Sequence, residues 1–96
     1  MFYCYVLYSI KDHKLYKGFS ADIGKRFLKH CAGGVTSTKN RRPLILIYCE
    51  TFEQKSDATK RERWFKTFEG HIELINILKD KNIIDNDCLL VSGPAG

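Results

Sequence analysis

The chain has 96 residues, which is the length of one small domain. It is 44% hydrophobic and 28% charged, a composition typical of a globular protein and not of a disordered one. No apolar run approaches the length of about 18 residues that a membrane-spanning helix requires, and the N-terminal "MFYCYVLYSIK" lacks the features of a signal peptide. The four cysteines form no CxxC pair, so a zinc knuckle is disfavoured and reduced thiols in a cytoplasmic protein are expected.

The net charge is +5, and the basic residues cluster in "GKRFLKH", "TKNRRP" and "KRERWFK". Small basic domains often bind nucleic acid, although charge alone does not distinguish such a domain from one with a solvated basic surface. The composition therefore favours a nucleic-acid partner without establishing one.

Residues 2–19 predict a β-hairpin. "FYCYVLYSI" is rich in aromatic and β-branched residues, "KDHK" is a polar turn, and "LYKGF" is a short second strand. Because side chains alternate along a strand, two faces are expected on the first strand, one with Tyr3, Tyr5 and Leu7 and the other with Cys4, Val6 and Tyr8.

A helix is expected after the hairpin, with Ser20 as its N-cap and Gly33-Gly34 at its end. Its apolar stripe has helical spacing and consists of Ile23, Phe27 and Cys31. Residues 34–43 then form a polar, basic loop.

The second half of the chain predicts one strand and two helices. "LILIYCETF", residues 44–52, is apolar at nearly every position, as expected for a central strand covered on both faces. Helices are expected over 56–69, stopped by Gly70, and over 72–79, whereas residues 80–96 lack periodicity. The order β-β-α-β-α-α predicts an α+β domain with a small, mostly antiparallel three-stranded sheet flanked by helices.

Two helix faces carry polar residues where apolar ones are expected. Glu62 lies between Ala58 and Phe65 on one narrow face of the second helix, and Arg26 lies with His30 beside the apolar stripe of the first. A buried unpaired carboxylate costs several kcal/mol, so Glu62 needs a cation, a metal or an edge position. An ion pair with Arg26 or a lysine remains one explanation, and a functional site is another.

At this point the sequence resembles the GIY-YIG nucleases. Tyr3-Cys4-Tyr5 and Tyr16-Lys17-Gly18 resemble the two tripeptides of that family's hairpin. "SADIGKRFLKH", "TSTKNRRPLILIYCETF" and "SDATKRERWFK" follow in the family's order, so the resemblance covers about residues 2 to 70. It is strongest to small stand-alone bacterial proteins related to the catalytic domain of the bacterial repair excinuclease. It implies a nuclease domain over 1–79 and an irregular C-terminal tail over 80–96.

The resemblance implies a divalent-metal-dependent endonuclease that hydrolyses DNA, with Mg²⁺ or Mn²⁺ bound by Glu62. The residues matching the family's catalytic positions are Tyr5, Tyr16, Arg26, His30 and Glu62. Tyr3 and Tyr8 match none and are interpreted as packing residues. An RNA substrate, or a non-catalytic nucleic-acid-binding module with the same fold, remains an alternative.

The types of these residues suit phosphodiester hydrolysis. Arg26 can donate two parallel hydrogen bonds to a phosphate, Tyr16 can orient water or phosphate, and Glu62 offers a hard oxygen ligand. A free tyrosine has a pKa of about 10, so Tyr5 becomes a useful base only beside groups that help it lose its proton. The residues expected to contact the nucleic acid are Lys17, Lys39, Arg41, Arg42 and Lys66. A solvated charged surface is the alternative for these cations.

Overall fold

The computed structural model describes residues 1–91. Its elements are β1 (Phe2–Ser9), β2 (Leu15–Ser20), α1 (Ile23–Cys31), a short 3-10 helix (Lys39–Arg41), β3 (Leu44–Phe52), α2 (Lys55–Phe65) and α3 (Phe68–Asp80). The predicted α+β class and the order β-β-α-β-α-α are confirmed. The chain forms two compact units, Met1–Glu62 and the part from Arg63 onward. No helix in the described part is long and apolar enough to cross a membrane.

The three strands form an antiparallel sheet in the order β2-β1-β3. The prediction that residues 44–52 form the central strand is wrong, because β1 lies in the centre. Six consecutive residues of β1, from Cys4 to Ser9, are buried, whereas Leu44 is the one buried residue of β3 and three residues of that strand are exposed. β2 pairs with one edge of β1 and β3 pairs with the other, so the apolar run of β3 belongs to an edge strand.

The core of the first unit lies on one face of this sheet. Tyr5, Leu7 and Leu44 form its centre, and partly buried Ile23 and Phe27 of α1 pack against them. Tyr5 and Leu7 thus share a face, as the alternation predicts. Cys31 was expected to extend the stripe of Ile23 and Phe27, but it is exposed, and its neighbour His30 is the residue that turns inward.

The boundaries of α1 follow from local hydrogen bonds. The predicted N-cap, Ser20, is wrong, since the carboxylate of Asp22 accepts the Lys25 backbone N–H at 3.0 Å. The predicted C-terminal glycine signal is confirmed, because Gly33 has a φ of +81° immediately after the helix. Residues 23–31 are therefore held as a helix from both ends.

Gly70 does not stop the second helix. α2 ends at Phe65, Thr67 caps α3, and Gly70 lies inside the first turn of α3. A Cβ at position 70 would overlap the Trp64 carbonyl oxygen, so the glycine allows the backbone to pass closely there. α3 consequently begins at Phe68, four residues before the predicted start at position 72.

The predicted tail begins where α3 ends. Residues 81–91 contain turns and one isolated antiparallel bridge between Ile84 and Leu90. Ile84 is buried, so this part of the chain contributes to packing in its own unit. Residues 92–96 of the predicted tail lie outside the described residues.

Candidate active site

The hydroxyl of Tyr5 is the centre of a polar cluster between β1 and α1. It lies 2.8 Å from Nε2 of His30, and Nε of Arg26 donates to it at 3.5 Å. The Tyr5 side chain is only 1% exposed and at the same time belongs to the hydrophobic core. A strand residue and two residues one helical turn apart therefore converge on a single buried oxygen.

Tyr16 joins this cluster from the neighbouring strand. Its ring centroid lies 6.4 Å from that of Tyr5 and 5.1 Å from that of His30, which it meets edge-on. Both tyrosines raise the pKa of Arg26, the larger effect being the hydrogen bond with Tyr5. Four of the five predicted catalytic residues are thus brought together.

His30 is fully buried within the first unit. Its second ring nitrogen, Nδ1, lies 2.7 Å from Oγ1 of Thr38, a residue that is itself fully buried. Sequence reasoning missed Thr38, because a threonine in the polar loop "GVTSTKNRRP" gives no periodic signal. The available clue was chemical: a buried imidazole needs a partner for each nitrogen.

Burial and neighbouring groups shift the pKa values in this cluster. Burial raises the pKa of Tyr5, and the hydrogen bond from Arg26 opposes that rise. Burial, followed by the positive charge of Arg26, lowers the pKa of His30. At neutral pH Tyr5 therefore keeps its proton, while the neutral His30 ring has one nitrogen free of hydrogen that can accept a proton.

Gly18 provides the space for the Tyr5 ring. The two residues are direct partners in the β1–β2 register. A Cβ at position 18 would lie 2.5 Å from the Tyr5 hydroxyl oxygen and 2.6 Å from Cζ. Gly18, in the second tripeptide, thus leaves room for the ring of Tyr5, in the first tripeptide.

Glu62 lies on α2 and is partly shielded from solvent. The neighbouring positions of its helix face, Ala58 and Phe65, are both fully buried, as predicted. The Glu62 carboxylate is close enough to raise the pKa of Tyr5 and of Cys4, although burial is the larger cause for both. Its negative charge therefore acts on the oxygen at the centre of the cluster.

Glu62 is the residue of the predicted site whose side chain suits a divalent metal ion. Residues 1–91 contain no group of three or more His, Cys, Asp or Glu side chains placed to hold a metal ion. Mg²⁺ is commonly bound by one or two carboxylates, with water and substrate phosphate completing its shell. Glu62 fits that requirement as a single hard oxygen ligand.

The predicted nucleic-acid contacts divide into different environments. Lys39 and Arg42 are exposed and line an open groove of about 480 Å³. Arg41 instead forms an ion pair with Asp12, Nε to Oδ2 at 2.7 Å. The groove is further lined by Lys11, Cys31, Asn40, Pro43 and Leu44. Lys11 is a cation of this groove that the sequence reasoning did not select.

The other two predicted contacts lie elsewhere. Lys17 is partly buried on β2, opposite Val6, and Lys66 is exposed in the second unit. Arg26 lines a separate open cleft of about 370 Å³ together with Lys25 and Lys29. Ser20 and Asp22 also line this cleft, so a phosphate approaching Arg26 would meet three cations and one carboxylate.

Comparisons with known proteins identify the family of this chain. Residues 1–72 match the model of the GIY-YIG catalytic domain. The chain is 49% identical over 73 residues to a UPF0213 protein of Staphylococcus saprophyticus and 43% identical over 73 residues to one of Staphylococcus haemolyticus, covering 75% of this chain and 88% of each relative. The NMR structure of a UPF0213 protein from Bacillus halodurans has 30% sequence identity and a TM-score of 0.50, covering 80% of this chain and 85% of that one. The chain belongs to the GIY-YIG family.

Proposed function

We propose that the protein is a divalent-metal-dependent endonuclease that hydrolyses phosphodiester bonds in DNA. The observation that carries this proposal is the buried Tyr5 hydroxyl, bonded to His30 at 2.8 Å and to Arg26 at 3.5 Å. A packing tyrosine needs one hydrogen-bond partner for its hydroxyl, whereas this one has a strict donor on one side and a proton acceptor on the other. That arrangement suits a group that handles protons.

Tyr5 and His30 together can activate the attacking water. Because burial raises the pKa of Tyr5, free phenolate is scarce at neutral pH and cannot serve as a ready base. The Tyr5 oxygen can accept a proton from water while its own proton passes to Nε2 of His30. The water oxygen then bonds to phosphorus, the bond to the leaving oxygen breaks, and that oxygen takes a proton from solvent. The imidazolium later returns its own proton to solvent, so no net proton is gained or lost in these transfers.

Arg26 and Tyr16 would bind the scissile phosphate. Nε of Arg26 is occupied by Tyr5, and its terminal nitrogens can donate to phosphoryl oxygens whose charge grows as the bond breaks. Tyr16 contributes a hydroxyl from the adjacent strand and contacts the edge of the His30 ring. These two residues position the phosphate against the oxygen of Tyr5.

Glu62 would hold the metal ion, Mg²⁺ or Mn²⁺. When bound, such an ion supplies positive charge to the phosphoryl and leaving oxygens. The carboxylate of Glu62 is the part of the chain that selects a hard cation, and it also keeps negative charge close to Tyr5.

Lys39 and Arg42 would bind the nucleic-acid backbone. They border the groove of about 480 Å³, and the chain has a net charge of +5. Contacts of this kind bind phosphate without reading the base sequence. DNA is the proposed substrate. If the protein cleaved RNA in preference to DNA, the substrate would be RNA instead.

Glu62→Gln tests the enzyme directly, because it keeps the shape of the side chain and removes its charge. The variant should fail to cleave plasmid DNA in Mg²⁺ or Mn²⁺, like the wild-type protein assayed in EDTA. Its affinity for DNA should stay equal or increase. Glu53→Gln, at an exposed glutamate just after β3, is the matched control and should cut normally.

A non-catalytic binding module is the second candidate, supported by a basic groove whose lining includes none of the proposed catalytic residues. It would be favoured if the wild-type protein binds nucleic acid but never cuts plasmid, single-stranded DNA or RNA with either metal. A Gln variant at position 62 that only lost thermal stability would agree with that outcome.

A further inference from the structure

We propose that Thr38 is a positioning residue that holds hydrogen on Nδ1 of His30, so that the lone pair of Nε2 faces the Tyr5 hydroxyl. This inference rests on the proposed function, since it concerns the proton acceptor in that reaction. Thr38 touches neither the substrate nor the reacting atoms in this scheme. It acts through His30.

The geometry is a continuous row of hydrogen bonds through the first unit. Nε of Arg26 lies 3.5 Å from the Tyr5 oxygen, that oxygen lies 2.8 Å from Nε2 of His30, and Nδ1 lies 2.7 Å from Oγ1 of Thr38. Tyr5 is 1% exposed, and both His30 and Thr38 are fully buried. Water is therefore largely excluded as an alternative partner for the imidazole.

Two arrangements of hydrogen atoms fit these distances. In one, Tyr5 donates to Nε2 and Nδ1 donates to Thr38; in the other, Thr38 donates to Nδ1 and Nε2 donates to Tyr5. Only the first gives the proton of Tyr5 an acceptor. Because Arg26 donates to the Tyr5 oxygen, the Tyr5 hydroxyl is left to donate its own proton to Nε2, which favours the first arrangement. In that arrangement Thr38 accepts the hydrogen on Nδ1, and a neutral imidazole with hydrogen on Nδ1 has none on Nε2.

The loop that carries Thr38 is also held by hydrogen bonds that do not involve its hydroxyl. Thr38 stands at the N-cap of the short 3-10 helix, a position where threonine often caps, yet it makes no side-chain capping bond. The loop is fixed to the hairpin turn by other bonds, from Ser9 Oγ to the Arg41 carbonyl at 2.6 Å and from the Ile10 N–H to the Pro43 carbonyl at 2.9 Å. The bond to His30 is thus the one polar contact of that hydroxyl within residues 1–91.

Thr38 also suits the state reached after proton transfer. The imidazolium formed by His30 carries hydrogen on both nitrogens, and Oγ1 of Thr38 still accepts the one on Nδ1. The charged and titratable groups facing His30 are Tyr5 of β1, Tyr16 of β2 and Arg26 of its own helix. None of these can replace Thr38 as the acceptor at Nδ1, because Tyr5 occupies the other nitrogen.

The test combines Thr38→Val, which removes the hydroxyl at nearly constant shape, with Thr38→Ser, which retains it. Imidazole ¹⁵N chemical shifts of the full chain report which nitrogen of His30 carries hydrogen, and they need no nuclease activity. We expect the Nδ1–H form in the wild type and in Thr38→Ser, and loss of that preference in Thr38→Val. A wild-type His30 with hydrogen on Nε2 would overturn the inference, whether or not the valine variant folds.

Cleavage kinetics separate the inference from the proposed function. Thr38→Val should lower kcat roughly tenfold with little change in KM, the scale of one lost orienting bond. The acid limb of its pH profile should move to lower pH, because the imidazolium has lost an acceptor, and Thr38→Ser should restore both. An active protein whose valine variant keeps its rate and profile refutes the role of Thr38 alone. A protein that never cuts, yet shows the tautomer change, refutes the proposed function alone.

Discussion

Gly18→Ala is a severe perturbation of the proposed site although it adds one methyl group. The new Cβ would lie 2.5 Å from the Tyr5 hydroxyl oxygen, 2.6 Å from Cζ and 3.0 Å from Cε1. Ordinary contacts of a Cβ begin at 3.4 Å, so the ring must move by about 0.9 Å, the difference between 3.4 and 2.5. The ring is 1% exposed and packed in the core, so it has little space into which to move.

Two effects follow from that displacement. Overpacking of a core by a methyl group costs about 1–3 kcal/mol, which should appear as a lower melting temperature. A shift near 1 Å also disturbs the 2.8 Å bond between Tyr5 and His30, and misplacement on this scale reduces the rate of an enzyme by about 100-fold. The loss should lie mainly in kcat, because the phosphate-binding groups of the groove are untouched.

The assay measures plasmid cleavage, thermal unfolding and the His30 ring signals on the same preparation. Gly24→Ala is the matched control, since a Cβ there meets only Asp22, at 3.7 Å, and the position is exposed within α1. It should cut normally and gain about 0.5–1 kcal/mol of stability from the higher helix propensity of alanine. Wild-type kcat and unchanged His30 signals in Gly18→Ala would refute the reasoning.

Three further measurements test other parts of the first unit. Replacing Lys39 and Arg42 by alanine should weaken DNA binding and lower the salt slope by about one unit per lost phosphate contact, and an unchanged slope would leave them as surface charges. Arg41→Ala should lower the melting temperature with little effect on that slope, because Arg41 bonds Asp12 at 2.7 Å; a changed slope with normal stability would contradict this. Thermal stability should fall as the pH drops below about 6.5, because burial lowers the pKa of His30 and the unfolded chain then binds a proton that the folded one does not. In His30→Gln this part of the pH dependence should be absent, and its persistence would assign it to another group.

Elements with strong local signals could be predicted from the sequence. The hairpin and residues 44–52 have continuous β-forming composition, and α1 has a clear stripe and a glycine at its end. The strand order could not be predicted in the same way, because the apolar run of β3 looks identical whether it has one neighbouring strand or two. The prediction that Gly70 ends the second helix failed because the sequence shows only a glycine. It does not distinguish a glycine that permits close backbone approach from one that ends a helix.

The site was predictable as far as residue types and helical spacing allowed. Spacing placed Arg26 and His30 on one face of α1, but it could not decide whether His30 or the adjacent Cys31 turned inward. The deciding partner, Thr38, comes from a loop with no periodicity, and contacts of this kind appear only once the chain has folded. The same holds for Arg41, whose pairing with Asp12 joins residues 29 positions apart.

The buried hydroxyl of Tyr5 is a polar group that the hydrophobic core does not need for packing. Phenylalanine would fill nearly the same volume in the core and has no polar atom. With phenylalanine at this position the core would not have to supply hydrogen-bond partners for a buried hydroxyl. His30 and Thr38 are tied to that oxygen, because each would be left with an unmet polar group if the other were replaced. If the proposed proton transfer did not take place, apolar replacements of all three residues together would leave no buried polar group without a partner. The joint presence of the three polar groups on a strand, a helix and a loop is expected if the proposed proton transfer takes place.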